Sequence, residues 1–272
     1  MATTRPRLKA NDTLALKTTT HLAKEDQPYQ THRKEQQATM IVQKRVQNED
    51  DTMTEAVLEF HCNWKSGIGG SIWTSGELLA AYLEMHRKHY GSIFKNARVV
   101  EVGSGTGYVG LMVAACFKPA HVYLTDQAAY LDGLRRNAKI NATKVRAGVQ
   151  VHVVELNWGS LAQIASLFKT ISSTSDKSHC SHDAALDINV LLGTDVAYLR
   201  ELYEPLLHTI THLSTSRTLI LLGLNRADTH YTFFQRLEQI GFEYYKISDF
   251  QLPQEYWGRD FGLFEIRRFL QN

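Results

Sequence analysis
The pattern of apolar and polar positions divides the chain into a polar head and a long alternating body. Residues 1–50 are rich in Thr, Gln and Lys and contain one aromatic, Tyr29. So little apolar surface cannot offset the entropy of ordering, and the head is expected to be a disordered tail. Only the piece 39–46 has the pattern of a short strand or helix. A folded domain is expected over 51–272. In it, 56–61 reads as a strand and 67–70 as a glycine-rich loop. Thr74 and Glu77 form a capping-box pair that opens a helix ending near Tyr90-Gly91.

Short β-branched runs then alternate with helical stretches. Strands are expected at 97–102, 121–125, 149–156, 187–193 and 217–224, with helices at 106–117, 128–140, 201–213 and 231–240. Gly241 stops the last helix. The segment 170–182 is Ser/Lys/His-rich and reads as a loop insertion. The runs 242–250 and 261–269 have no helical pattern between them, so they should pair antiparallel at one sheet edge. The sum is an α/β, Rossmann-like sheet of seven strands, the last inserted antiparallel, with helices on both faces.

The densest chemical signal lies at 98–110, RVVEVGSGTGYVG. A strand ends in an acid, Glu101, and breaks into a turn with glycines at 103, 105 and 107 just ahead of a helix start. Backbone N–H groups at such a turn face a ligand. Gly105, Gly107 and Gly110 also spell the dinucleotide fingerprint G-x-G-x-x-G. Because the strand closes on a carboxylate, a pyrophosphate would be repelled and a cation attracted. That contrast favours a sulfonium cofactor, S-adenosyl-L-methionine, over NAD. Asp126 ends the next strand, about twenty residues on, where a ribose-binding carboxylate belongs; the alternative is a cap on the following helix, and its place in sequence with the glycine loop favours the ribose. Trp158, after the third strand of the alternation, could stack on an adenine or belong to the core. Asp195 and Tyr198 follow the fourth, across the switch point of the sheet, and are the side chains best placed for chemistry on a transferred group.

Composition narrows the field. The 272 residues are 43% hydrophobic and carry a net charge of +2, with no basic footprint for nucleic acid. Cys62, Cys116 and Cys180 are scattered and read as reduced thiols of an intracellular protein, expected in the cytoplasm, with the nucleus as the alternative. No apolar run reaches membrane-spanning length, and the N-terminus lacks a signal-peptide core. His179, Cys180 and His182 are too tightly spaced to surround one tetrahedral metal, so no metal is expected.

With these residues in hand, the chain resembles the seven-β-strand protein-lysine methyltransferases (methyltransferase family 16, methyltransferase-like 21 type). Members modify chaperones, an AAA ATPase and translation factors. The motifs that carry the resemblance are Ser71-Ile72-Trp73, the loop from Glu101 to Gly107, Thr125-Asp126, Leu156-Asn157-Trp158-Gly159 and Thr194-Asp195-Val196-Ala197-Tyr198. The resemblance implies a methyl donor bound by Trp73, Glu101, Gly103, Ser104 and Gly105 at its methionine part. It also implies Asp126 at the ribose, Trp158 at the adenine and the Thr194 backbone beside the cofactor. Asp195 and Tyr198 would shape the channel for the acceptor lysine of a protein substrate, with the enzyme acting as a monomer, away from nucleic acid and membrane. Where the family usually has Ala at 194 and an aspartate–alanine pair after the tryptophan, this chain has Thr194 and Thr74-Ser75. Rival expectations are a small-molecule or RNA N-methyltransferase, an inactive cofactor-binding module, and an NAD oxidoreductase. The Pro-Pro pair usual in the first of these is absent at 195–198.

Overall fold
In the computed structural model the described residues are 37–47, 53–174 and 187–269. Seven strands form one sheet: β3 (Arg98–Val102), β4 (His121–Asp126), β5 (Gln150–Glu155), β6 (Val190–Thr194), β7 (Leu219–Asn225), β8 (Phe242–Lys246) and β9 (Phe261–Arg268). Their spatial order is β5-β4-β3-β6-β7-β9-β8. The pairs from β5 through β7 are parallel, whereas β9 runs antiparallel to both β7 and β8. The order reverses beside β3, with β4 on one side and β6 on the other, so the loops after β3 and β6 open a crevice at the carboxyl edge.

Seven helices accompany the sheet: α1 (Thr74–Met85), α2 (Arg87–Phe94), α3 (Tyr108–Cys116), α4 (Ala128–Ile140), α5 (Leu161–Thr174), α6 (Tyr203–Leu213) and α7 (Thr232–Gln239). The alternation of buried residues sets two cores. Val99 of β3 faces one with α1 and α3, while Val100 and Val102 face the other with α5 and α6. Every residue of α3 is buried, which is why its sequence is apolar all round rather than striped.

What covers α3 is a second, two-stranded sheet. β1 (Gln37–Gln47) pairs antiparallel with β2 (Met53–Asn63). Leu58, Phe60 and Cys62 turn inward on β2, and the period of two leaves Val57, Glu59 and His61 facing out. Two buried asparagines, Asn137 on α4 and Asn141 at its C-cap, bond the backbone of β2. Asn141 accepts from the Glu59 N–H at 2.9 Å and donates to its carbonyl at 2.7 Å. Asn137 does the same to His61 at 2.9 and 3.2 Å. Each leaves fewer orphaned buried groups, worth about 1–3 kcal/mol apiece.

Several expectations need correction. The polar head is not tail throughout, because 37–47 is a long strand; pairing with β2 supplies the order that its own composition does not. Residues 1–36 lie outside the described residues, as do 175–186 with His179, Cys180 and His182. The expected loop 170–182 begins inside α5, whose last buried residue is Ile171. The helix expected to run from Thr74 to Tyr90-Gly91 breaks at His86 into α1 and α2. No capping box forms: Trp73 is the N-cap and its side chain makes no capping bond, so Thr74 is already inside the helix.

Candidate active site
The crevice holds a cleft of about 260 Å³ at the carboxyl edge of the sheet. Its walls bring together Trp73, Glu101, Gly103, Ser104, Gly105, Asp126, Trp158, Thr194, Asp195 and Tyr198. Ten positions spread over 126 residues of chain therefore meet in one place, because β3, β4, β5 and β6 all end there.

The β3 side is held tightly. Glu101 is 2% exposed, and its Oε2 accepts from the Gly110 N–H at 3.1 Å. Burial pushes its carboxyl up to about 8, opposed by bonds from Gly110 and Ser104, with Asp126 adding a smaller upward push. A methyl group at Gly110 would come within 2.3 Å of Leu124 and 2.7 Å of the Glu101 carboxylate, so only glycine lets α3 approach the strand this closely. Gly105 has φ +54°, and a Cβ there would lie 2.8 Å from the Gly69 carbonyl oxygen. The loop thus needs a glycine both for its conformation and for its contact with 67–70.

Asp126 clasps that loop. Its Oδ2 accepts from the Gly105 N–H at 2.7 Å and its Oδ1 from the Gln127 N–H at 2.8 Å. Burial raises its carboxyl, and these two amides pull it down. Gln127, not Asp126, is the N-cap residue of α4. Opposite, the Gly103 backbone sits so close to Trp158 that a Cβ would be 3.0 Å from the indole.

The β6 side is built differently. Asp195 has φ +52°, a left-handed conformation that costs a non-glycine residue energy, and aspartate tolerates it better than most. Its Oδ1 accepts from the Ser75 hydroxyl at 2.8 Å, while Oδ2 is buried with no hydrogen-bond partner. Burial pushes this carboxyl up to about 6, with the Ser75 hydroxyl the largest opposing influence and Asp228 adding to the rise. Asp195 therefore stands over the start of α1, a helix end without a side-chain cap of its own. Tyr198 lines the cleft nearby; burial raises its phenol, and Tyr130 and Asp126 push the same way.

Trp73 is 40% exposed and donates its indole N–H to the Ile68 carbonyl at 2.9 Å, so it is both a wall and a brace for the loop before α1. Sequence reasoning missed Ser75 and Tyr130. Tyr130 follows Asp126 by four residues at the carboxyl edge of β4, a position that marks it as ligand-facing in an open parallel sheet. Ser75 had no signal beyond its closeness to Trp73, since its partner Asp195 is 120 residues away.

The cleft lining includes three acids, Glu101, Asp126 and Asp195, and no Lys, Arg or His. Such a lining suits a cationic ligand and opposes a diphosphate. The glycine cradle against Trp158 and the buried carboxyl of Glu101 together fit a sulfonium nucleoside such as S-adenosyl-L-methionine. Among the described residues no group of three or more His, Cys, Asp or Glu could hold a metal.

A family model described as lysine methyltransferase matches residues 52–240. The chain is 31% identical over 167 residues to protein N-lysine methyltransferase METTL21A of Xenopus tropicalis, covering 61% of this chain and 65% of the relative. It is 33% identical over 183 residues to protein-lysine methyltransferase METTL21E of Bos taurus, covering 67% of this chain and 56% of the relative. Against protein-lysine N-methyltransferase EFM6 of Saccharomyces cerevisiae it is 28% identical over 218 residues, 75% of this chain and 82% of the relative. The match thus spans less than two thirds of the length of the first two.

Proposed function
The chain belongs to the lysine methyltransferase family, and on that premise we propose that it transfers a methyl group from S-adenosyl-L-methionine to a lysine ε-amine of another protein. The observation that carries this reading is the cleft lined by three acids and no bases. A chaperone, AAA ATPase or translation factor is the class of substrate proposed. The cytoplasm or nucleus, where Cys62 and Cys116 stay free thiols, is the compartment proposed.

When bound, S-adenosyl-L-methionine supplies an electrophilic methyl group on a sulfonium. The chain's own residues then do the positioning. Glu101, ionised, balances the charge of the methionine part, Asp126 takes the ribose hydroxyls, and Trp158 lies against the adenine. The backbone of Gly103, Ser104, Gly105 and Thr194 closes the cradle. On the acceptor side Asp195 receives an N–H of the incoming amine, and Tyr198 walls its path. Aromatic walls strip water from the amine and lower its pKa from the usual ~10.4, which favours the neutral nucleophile. Alignment supplies most of the acceleration.

Calorimetry with S-adenosylhomocysteine should show binding, and isotopically labelled methyl donor should place label on lysine in extract proteins. In single turnover, Asp195→Asn should slow transfer about 100-fold and Tyr198→Phe severalfold. Full rates in both variants would remove Asp195 and Tyr198 from the acceptor channel. Label in RNA or in small molecules alone would overturn the protein-lysine reading.

A further inference from the structure
The loop before α1 carries large apolar side chains that the fold leaves in water. Trp64 is 51% exposed, Ile68 49% and Trp73 40%, all within ten residues at the edge of the cleft. Scattered exposed apolar residues are ordinary, whereas a contiguous group at a site mouth marks a contact surface. Trp64 and Trp73 meet edge to face with ring centroids 6.0 Å apart, so they form one surface. Ile68 and Trp73 also line the cleft itself, which makes the patch continuous with it.

This surface is braced before anything binds. Trp64 opens a 3-10 turn whose N-cap, Asn63, accepts from the Lys65 N–H at 3.1 Å. Ile68 opens a second turn, and the Trp73 indole N–H holds its carbonyl. Beneath them the loop lies on Tyr130 so closely that a Cβ at Gly67 would come within 2.9 Å of its hydroxyl and one at Gly69 within 2.9 Å of its ring. Rigid aromatic rings lose little conformational entropy on contact, which suits them to recognition. The neighbouring cleft is acidic, with Glu101, Asp126 and Asp195 and no bases. A partner matching both features presents a cation beside an apolar side chain.

We propose that Trp64, Ile68 and Trp73 form a docking collar for the polypeptide substrate, selecting a target lysine that has a bulky apolar residue next to it on the substrate surface. This deepens the lysine methyltransferase reading and rests on it. The collar takes the apolar neighbour while the acidic cleft takes the lysine. Trp64 is the informative position, because it lies outside the cleft lining and meets the lining residue Trp73 ring to ring.

The test uses the full chain, S-adenosyl-L-methionine and a library of peptides with one central lysine and randomised neighbours, read by mass spectrometry. Methylation should concentrate on peptides with Leu, Ile, Phe or Met beside the lysine. Trp64→Ala should raise KM for such peptides roughly tenfold, as expected for losing most of one buried apolar contact. Its kcat and its calorimetric affinity for S-adenosylhomocysteine should stay within twofold of wild type, and Trp64→Phe should restore most of the preference. A wild-type enzyme indifferent to apolar neighbours, or a Trp64→Ala enzyme with unchanged KM, overturns the collar and leaves lysine methylation standing. Loss of S-adenosylhomocysteine affinity in step with activity would assign Trp64 to the cofactor instead. A wild-type dimer that Trp64→Ala converts to monomer would assign the patch to a second copy of the chain. Each of these overturns the proposal; no label on any lysine overturns it together with the function.

Discussion
The two walls of the cleft hold their carboxylates in opposite ways. On the β3–β4 side Glu101 and Asp126 are tied to backbone N–H groups of Gly110, Gly105 and Gln127. On the β6 side Asp195 sits at φ +52° with one oxygen on Ser75 and the other without a partner. A carboxylate held by backbone amides is fixed in place in the free protein and keeps lone pairs for a ligand. One that is strained and half-satisfied stores a demand that an incoming N–H would meet. The contrast teaches that the donor wall is preorganised by the fold, while the acceptor wall is completed by what enters it.

The largest effect should come from cutting the donor wall at its clasp. Asp126→Ala removes a ribose partner and orphans the N–H groups of Gly105 and Gln127. The orphaned amides cost the fold about 1–3 kcal/mol each, and the lost charged ribose partner, at about 1.5–3 kcal/mol, should lower affinity for S-adenosylhomocysteine by about 100-fold. Calorimetry that found wild-type affinity would erase the distinction between the two walls.

A pH titration sharpens the comparison with a smaller effect. Burial raises the Glu101 carboxyl to about 8, so in the free protein it is protonated at neutral pH. A cationic ligand favours the ionised form and lowers that value on binding. Affinity for the cofactor should therefore climb as pH rises toward 8 and level off above it, roughly tenfold from about pH 6.5 to about 8. The same raised value has a stability consequence: the folded state holds this proton more tightly than the unfolded chain, so stability falls as pH rises from the ordinary glutamate value of 4.5 toward 8. An affinity flat across that window would mean that Glu101 does not face the cation.

The smallest effect should come from Ser75, the brace of the acceptor wall. Ser75 donates to Asp195 and holds its carboxyl below where burial alone would put it. Ser75→Ala should move the acidic limb of the pH–rate profile upward from about 6 and slow transfer severalfold at neutral pH, with S-adenosylhomocysteine affinity unchanged. An unmoved limb would show that Asp195 does not titrate in the rate.

Much of this was legible in the chain. Period-two strands and apolar helices gave the seven-stranded order of elements, and the turn from Glu101 to Gly107 marked the ligand end of the sheet, because both depend on residues near one another in sequence. The strand at 37–47 was legible only as a short strand or helix at 39–46, because its order comes from β2, not from its own polar composition. The cap over α1 was misassigned to Thr74 and Glu77 because the carboxylate above that helix end arrives from the loop after β6.

The amino-acid sequence alone determined where strands and helices form and which acids end the central strands, since backbone preference and side-chain periodicity are local. Only the tertiary structure decided that Glu101 is buried and raised toward 8, that Ser75 holds Asp195, and that Tyr130 underlies the loop at Gly67 and Gly69. Desolvation, close approach and pairing across 120 residues depend on which surfaces meet, and that is settled when the sheet closes and its helices pack.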